Sequence, residues 1–326
     1  MRIIDSITEL KTLSKGSLLT IGNFDGVHLG HQEILSTAKN LARKNKIECI
    51  AMTFEPHPVA ILYPEKAPGV LTPLALKNHL IAQSGIDCLI ILKDNAKLLN
   101  LSPEDFVGRF LIDNINPSAV VEGHDFNFGA KRAGNIETLK KLAAKYNFDV
   151  SIIEPKEIRL STGQKVRISS TMIRYMLESG HVADAAAALG RPYQLVGEII
   201  PGRGIGKKLG FPTLNMKKPN QVIPAEGVYT GFVRIGETIY KIFDSKETIP
   251  AVYSIGQART YGDEYPLLIE AHLLKEKDAI ITGKYLAMDF IGRIRSQHKF
   301  NTPEELSAQI AKDCQKAKKL LNDFSI

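Results

Sequence analysis

Five short apolar runs mark the first half of the chain: Ser17–Ile21, Ile47–Phe54, Asp87–Leu92, Ser118–Gly123 and Phe148–Pro155. Each is rich in strand-forming residues. Between several of them lie segments with apolar residues at helical spacing, such as His31–Lys46 and Asn135–Asn147. Strands separated by amphipathic helices predict βαβ units and a parallel sheet covered on both faces. Ser169–Gly180 has hydroxyls at its start and a glycine stop, which predicts a helix with visible ends. A short alanine-rich helix follows and ends at the sequence LGRPY.

After Tyr193 the pattern changes. Tyr193–Ile200, Gly227–Gly236, Thr238–Phe243, Pro250–Gly256, Leu267–Leu274 and Lys284–Ile294 read as successive strands with little helix between them. Many short strands broken by Gly and Pro predict a small antiparallel barrel. Thr302–Phe324 predicts one closing amphipathic helix, begun by Thr302 and Pro303. The expected fold class is therefore α/β plus β. An α/β domain with a parallel sheet is expected over residues 1–186, and a β-barrel with a terminal helix over 187–326. No internal repeat or low-complexity segment interrupts this plan.

Composition adds few constraints. The 326 residues suffice for two cores. At 44% hydrophobic and 24% charged, the chain belongs to the globular class and not the disordered one. Its net charge of +7 suits an anionic partner, a nucleic acid or a small phosphorylated ligand, and does not choose between them. Cys49, Cys88 and Cys314 are widely spaced with no CxxC, which predicts buried thiols in a reducing compartment. The N-terminus lacks the apolar core of a signal peptide, and no run reaches membrane-spanning length. A cytoplasmic protein without a membrane partner is expected.

The chemistry begins with TIGNFDGVHLGHQ, residues 20–32. In an open parallel sheet, ligands bind at the carboxyl ends of strands, where helix N-termini offer free N–H groups. Gly22, Gly26 and Gly30 let backbone approach a phosphate. His28 and His31 can donate to phosphate oxygens and stabilise developing charge. An isolated histidine at a strand end is usually a surface or capping residue, but two of them one turn apart at a phosphate site favour function. A second cluster, RISSTMIR at 167–174, sets Ser169, Ser170 and Thr171 at a helix start with Arg174 on the following turn. Alone it reads as an ordinary cap with a solvated arginine. Beside the first cluster it reads as half of a triphosphate clamp.

Two features mark the second half. Gly202–Asn215, GRGIGKKLGFPTLN, has neither the GxGxxG nor the P-loop spacing, and its GFPT alone reads as a β-turn. Glu270 interrupts an apolar strand, where alternation sets Leu268, Glu270 and His272 on one face and Ile269, Ala271 and Leu273 on the other. Pattern alone leaves a solvated edge glutamate and a functional carboxylate equally open.

These residues carry a resemblance. GNFDGVHLGHQ with ISSTMIR resembles the adenylyltransferase half of the bacterial bifunctional riboflavin kinase/FMN adenylyltransferases, a group with the HxGH signature. TFEPHP at 53–58, VEGHDFNFGAKRAGN at 121–135 and SGHVADAAAALGRPY at 179–193 are similar to the same family, and GRGIGKKLGFPTLN resembles its kinase loop. The resemblance implies a Rossmann-like nucleotidyltransferase domain and a riboflavin kinase barrel. It implies phosphorylation of riboflavin by ATP to FMN, then adenylylation of FMN by a second ATP to FAD with release of pyrophosphate.

Residue by residue, it implies that Gly22, Asn23, Phe24, Asp25, Gly30, Asp125, Asn127, Ser169, Ser170 and Thr171 contact nucleotide. His28, His31 and Arg174 would neutralise the triphosphate. In the barrel, Gly202, Gly204, Gly206, Lys208 and Gly210 would line the ATP loop, and Thr213 and Asn215 would hold Mg²⁺. Glu270 would be the base that deprotonates the ribityl hydroxyl, while Pro56, Pro58 and Arg295 would contact flavin. Ser254, Arg259 and Gln297 depart from the family pattern on the flavin side. The implied partners are small molecules, with no nucleic acid and no membrane, and the sequence sets no oligomeric state. Two rivals remain: an adenylyltransferase acting on another phosphate ester, which leaves GFPTLN and Glu270 without purpose, and a basic RNA-binding module. The second needs aromatics interleaved with Lys and Arg, whereas the chain has no Trp and scattered aromatics.

Overall fold

The structure, a computed structural model, describes residues 1–93, 96–257, 267–274 and 283–324. The chain forms two compact units. Met1–Gly69, Leu76–Ile158 and Lys165–Ser169 make the first; Val70–Ala75, Arg159–Gln164 and Ser170–Ile326 make the second.

The first unit is built on six parallel strands: β1 (Arg2–Ile4), β2 (Leu18–Ile21), β3 (Cys49–Phe54), β4 (Cys88–Leu92), β5 (Ala119–Gly123) and β6 (Asp149–Ile153). Their order is β1-β4-β3-β2-β5-β6. The chain winds outward from β2 through β3 and β4, then returns to add β5 and β6 on the other side. The strand order therefore reverses between β2 and β5. All five residues of β4 are buried, as the unbroken apolar run CLIIL requires when helices cover both faces. The helices Leu29–Asn45 and Ile136–Tyr146 supply part of that cover. Phe106, Phe110 and Phe128 complete a core with Ile50, Met52, Ile90 and Leu92.

A separate two-stranded sheet pairs β7 (Glu157–Arg159) with β8 (Lys165–Arg167). The second unit is a closed antiparallel barrel of β9 (Tyr193–Ile200), β10 (Thr213–Met216), β11 (Gly227–Gly236), β12 (Ile249–Gln257), β13 (Leu267–Leu273) and β14 (Tyr285–Arg295), ordered β10-β13-β12-β11-β14-β9. Closure leaves no exposed sheet edge. Tyr229, Tyr253 and Phe290 are fully buried, their rings 5.1 to 5.4 Å from one another where paired through Phe290. The terminal helix Pro303–Asn322 is capped by Thr302, whose hydroxyl accepts the Glu305 N–H. It lays Cys314 and Ala317 on Val228, Val252 and Ile294.

Several elements differ from the sequence expectation: β1, β7, β8 and β10 lie outside the expected strands. Thr238–Phe243, expected as a strand, is the helix Ile239–Asp244. Its β-branched and aromatic residues favour a strand in isolation, but Thr238 caps the Lys241 N–H and the turn buries Ile242 and Phe243 together. The helices Ser170–Glu178 and Val182–Leu189 fall in the same unit as the barrel, where the Ala225 N–H donates to the Leu177 carbonyl at 3.0 Å. All three cysteines are free and buried. Burial pushes the Cys49 thiol up to about 12, so it stays protonated at neutral pH.

Candidate functional site

In the first unit, the segment after β2 is anchored from several sides. Gly22 N–H donates to the Met52 carbonyl at 3.0 Å, and Thr53 Oγ1 donates to the Asn23 carbonyl at 3.2 Å. Phe24, Gly26 and Val27 all have positive φ, of 46°, 88° and 39°. Left-handed backbone at two bulky residues is strained and persists only where the surroundings enforce it. The loop delivers His28 as the cap of the helix Leu29–Asn45, its Nδ1 accepting the His31 N–H at 3.2 Å. In the neutral ring this puts the proton on Nε2, leaving a donor.

His28 and His31 stack with ring centroids 3.6 Å apart and 15° between planes, and Phe24 packs edge-on to His31 at 5.4 Å. A Cβ at Gly30 would lie 3.2 Å from the His28 ring, which is the local need for glycine between the histidines. Asp25 is buried beside them in sequence. The helix begins two residues before the expected His31, so both rings sit at its N-terminal end, where positive potential gathers.

Other expected nucleotide residues are distributed around this unit. Asp125 pairs with Arg167 at 2.9 Å, and the Asn127 amide donates back to the Asp125 carbonyl at 2.7 Å. Pro56 follows a cis peptide bond, and Pro58 opens a short helix capped by His57. The buried Lys77 ammonium pairs with Glu55 at 3.5 Å, beside Pro56. Ser169 closes the first unit, while Ser170, Thr171 and Arg174 begin the helical part of the second.

In the barrel, register brings the candidate residues into one row. Asn215 on β10 pairs with Glu270 on β13, Glu270 with Ser254 on β12, Ser254 with Val228 on β11, and Val228 with Arg295 on β14. Directly paired residues project from the same face, so this row lies opposite the core face of Ile269 and Ala271. Thr213 Oγ1 donates to Glu270 Oε1 at 3.3 Å. Burial raises the Glu270 carboxyl above its ordinary value, opposed by the Thr213 hydrogen bond and the Arg203 charge.

A Cβ at Gly202 would collide with the Asn215 amide, so any larger residue there would displace the Asn215 side chain. Gly204 has a φ of +73°, and Gly206 and Lys208 form a one-turn helix that ends before Gly210 at φ +85°. Arg295 gives Nε and Nη2 to Asp313, the shortest contact being 2.7 Å, and Nη1 to the Ser296 carbonyl at 3.0 Å. At about 4.8 Å per strand, three strand spacings place Arg295 no more than about 14 Å from Glu270 across the row. Arg259 lies outside the described residues.

The sequence comparisons decide the family. The FAD synthetase family model matches residues 10–172, and the riboflavin kinase model matches residues 189–321. The chain is 35% identical to the bifunctional riboflavin kinase/FMN adenylyltransferase of Buchnera aphidicola subsp. Schizaphis graminum over 99% of each chain. It belongs to the bifunctional riboflavin kinase/FMN adenylyltransferase family. The corresponding enzymes of Escherichia coli K12 and Bacillus subtilis 168 are 32% and 34% identical, covering 96% and 92% of this chain and 96% and 91% of their own. The enzyme thus converts riboflavin to FMN and FMN to FAD.

A solved structure titled as a macrolide-efflux protein from Streptococcus pneumoniae shares the fold, with a TM-score of 0.81, 26% identity and 99% coverage of both chains. Among the described residues, no helix of this chain is long and apolar enough to cross a membrane.

One buried group of the family fold escaped the sequence reading. Glu122, at the end of β5, is 2% exposed and accepts the Ile21 N–H at 2.6 Å. The signal was available, since a carboxylate closes the apolar run SAVVEG much as Glu270 interrupts its own strand.

Proposed function

We propose that the two reactions are divided between the halves, with adenylyl transfer over residues 1–186 and riboflavin phosphorylation over 187–326, and that the candidate residues carry them. The observation that supports this best is the Thr213–Glu270 contact at 3.3 Å with Asn215 opposite Glu270 in register. The Thr213 hydroxyl and the Asn215 amide oxygen are hard oxygen donors, which fit Mg²⁺ held partly by ATP phosphates. When bound, Mg²⁺ neutralises phosphate charge during transfer.

Thr213 and Asn215 then orient the ATP phosphates, and the loop Gly202–Gly210 presents backbone N–H groups to them. Glu270 takes the proton of the riboflavin 5′-hydroxyl as that oxygen bonds the γ-phosphorus and ADP leaves. Arg295, held by Asp313, acts on the flavin side by fixing the terminal helix. In the other half, a phosphate oxygen of FMN bonds the α-phosphorus of ATP and pyrophosphate leaves. His28 and His31 neutralise the triphosphate, and FMN itself is the nucleophile. Asn23, Asp25, Asp125 and Asn127 contribute nucleotide contacts, and Pro56 and Pro58 shape the flavin side. Three free buried thiols support a cytoplasmic location.

The test is chromatography of products from riboflavin and ATP, with Mg²⁺ or with a chelator. Mg²⁺-dependent appearance of FMN before FAD supports the reading. FMN formation in the presence of chelator removes the metal role of Thr213 and Asn215.

A further inference from the structure

The ladder between β2 and β5 is short: Leu18 pairs with Ala119 and Leu19 with Val120, and there it stops. Two residues further on, Ile21 is 4% exposed and its N–H needs an acceptor that β5 backbone no longer supplies. The Glu122 side chain supplies it at 2.6 Å. A carboxyl group thus replaces a backbone carbonyl where strand order reverses and the two strands part, the place at which open α/β sheets form their ligand crevice.

Immediately after Ile21 the chain enters the loop with positive φ at Phe24, Gly26 and Val27, which ends at His28. Its start is tied to β3 by Gly22 and Thr53, and to β5 by Glu122. We propose that Glu122 is a positioning residue for adenylyl transfer: by accepting the Ile21 N–H it fixes the origin of the loop that aims His28 and His31. Burial raises its carboxyl well above the ordinary value, opposed by the Ile21 hydrogen bond. The Ile21 N–H requires a correctly placed oxygen, which a carboxyl or an amide side chain can supply.

The inference rests on adenylyl transfer occurring at the His28–His31 loop, so His28→Ala is assayed beside the Glu122 variants. Glu122→Gln keeps an oxygen acceptor of the same reach. Glu122→Met keeps the volume and loses the acceptor, and Glu122→Asp shortens the reach by one methylene. Full-length protein is assayed for FMN to FAD at saturating ATP and FMN, for riboflavin to FMN, and for its thermal midpoint.

The expected result is a kcat for FAD synthesis lowered about 10²-fold in Glu122→Met and Glu122→Asp, since a displacement near 1 Å at a reacting group costs about that much. Glu122→Gln should stay within about threefold of wild type, the effect of losing much less than one such displacement. The kinase rate should hold throughout. Wild-type kcat in Glu122→Met with a lowered thermal midpoint would overturn the proposal, leaving Glu122 a stability residue. Equal loss in Glu122→Gln and Glu122→Met would also overturn it. If Glu122→Met does not fold, the contrast between Glu122→Asp and Glu122→Gln decides in the same way. Full FAD synthesis by His28→Ala would instead refute the site reading beneath the proposal.

Discussion

Gln297 donates through Nε2 to the Ser254 hydroxyl at 3.0 Å and to the Ile255 carbonyl at 3.2 Å. Ser254 stands directly opposite Glu270 in register, so this bond ties the segment after β14 to the strand neighbouring the proposed base.

The bond should therefore bear on riboflavin and not on FMN adenylylation. Gln297→Ala is expected to raise the riboflavin KM about 2- to 10-fold, the effect of a hydrogen bond worth about 0.5–1.5 kcal/mol. Ser254→Ala should have a smaller effect, since Gln297 keeps its bond to the Ile255 carbonyl, and the double variant should be no worse than Gln297→Ala, which already removes the shared bond. Steady-state kinetics of the two half-reactions check this.

The stacked histidines lead to the complementary outcome. Replacing His28 and His31 together with Ala should lower FAD formation from FMN by at least about 10²- to 10³-fold, the typical cost of one donor to developing charge. FMN formation from riboflavin should persist in the same preparation, which serves as its own folding control.

Arg295 and Asp313 form a stability device. Their side chains are 14% and 4% exposed, so Asp313→Ala strands a buried guanidinium. A loss of about 3–5 kcal/mol is expected for such a half-removed buried pair. Denaturant unfolding followed by the loss of kinase activity should show an earlier midpoint, with Asp313→Asn intermediate. An unchanged midpoint would mean that the terminal helix is held by its apolar face alone.

The sequence disclosed the strands that have continuous apolar runs, whereas β1, β7, β8 and β10, only three or four residues each, did not stand out. The six residues Thr238–Phe243 misled because strand-forming side chains were recruited to a capped, buried helical turn. His28 and His31 were legible as a local motif, whereas Thr213 and Glu270 took their roles only from the family resemblance. The row Asn215–Glu270–Ser254–Val228–Arg295 was not legible, since it depends on the register of five strands drawn from 81 residues of chain. The Ser254–Gln297 and Glu122–Ile21 contacts were hidden for the same reason: their partners are 43 and 101 residues apart.

The raised Glu270 carboxyl sets a sign for the pH dependence. A base must be ionised, and burial favours its neutral form, so the kinase rate should climb with pH through a value above the ordinary glutamate range. Being raised, the same group contributes stability below its unfolded pKa and loses it as pH rises through the folded one. The kinase rate should therefore increase over the window in which that stability contribution declines. A kcat profile for riboflavin phosphorylation that is flat across the weakly acidic range would exclude Glu270 as the titrating group.

Glu270→Gln tests the central assignment most directly, because it keeps the side chain's shape and removes its ability to accept a proton. Both half-reactions are measured on one preparation. Riboflavin phosphorylation should fall about 10²- to 10⁴-fold, the usual contribution of a general base, while supplied FMN should still become FAD at the wild-type rate. An unaltered kinase rate would contradict the assignment of Glu270 as base, and an equal loss of both activities would contradict the division of the two reactions between the halves of the chain.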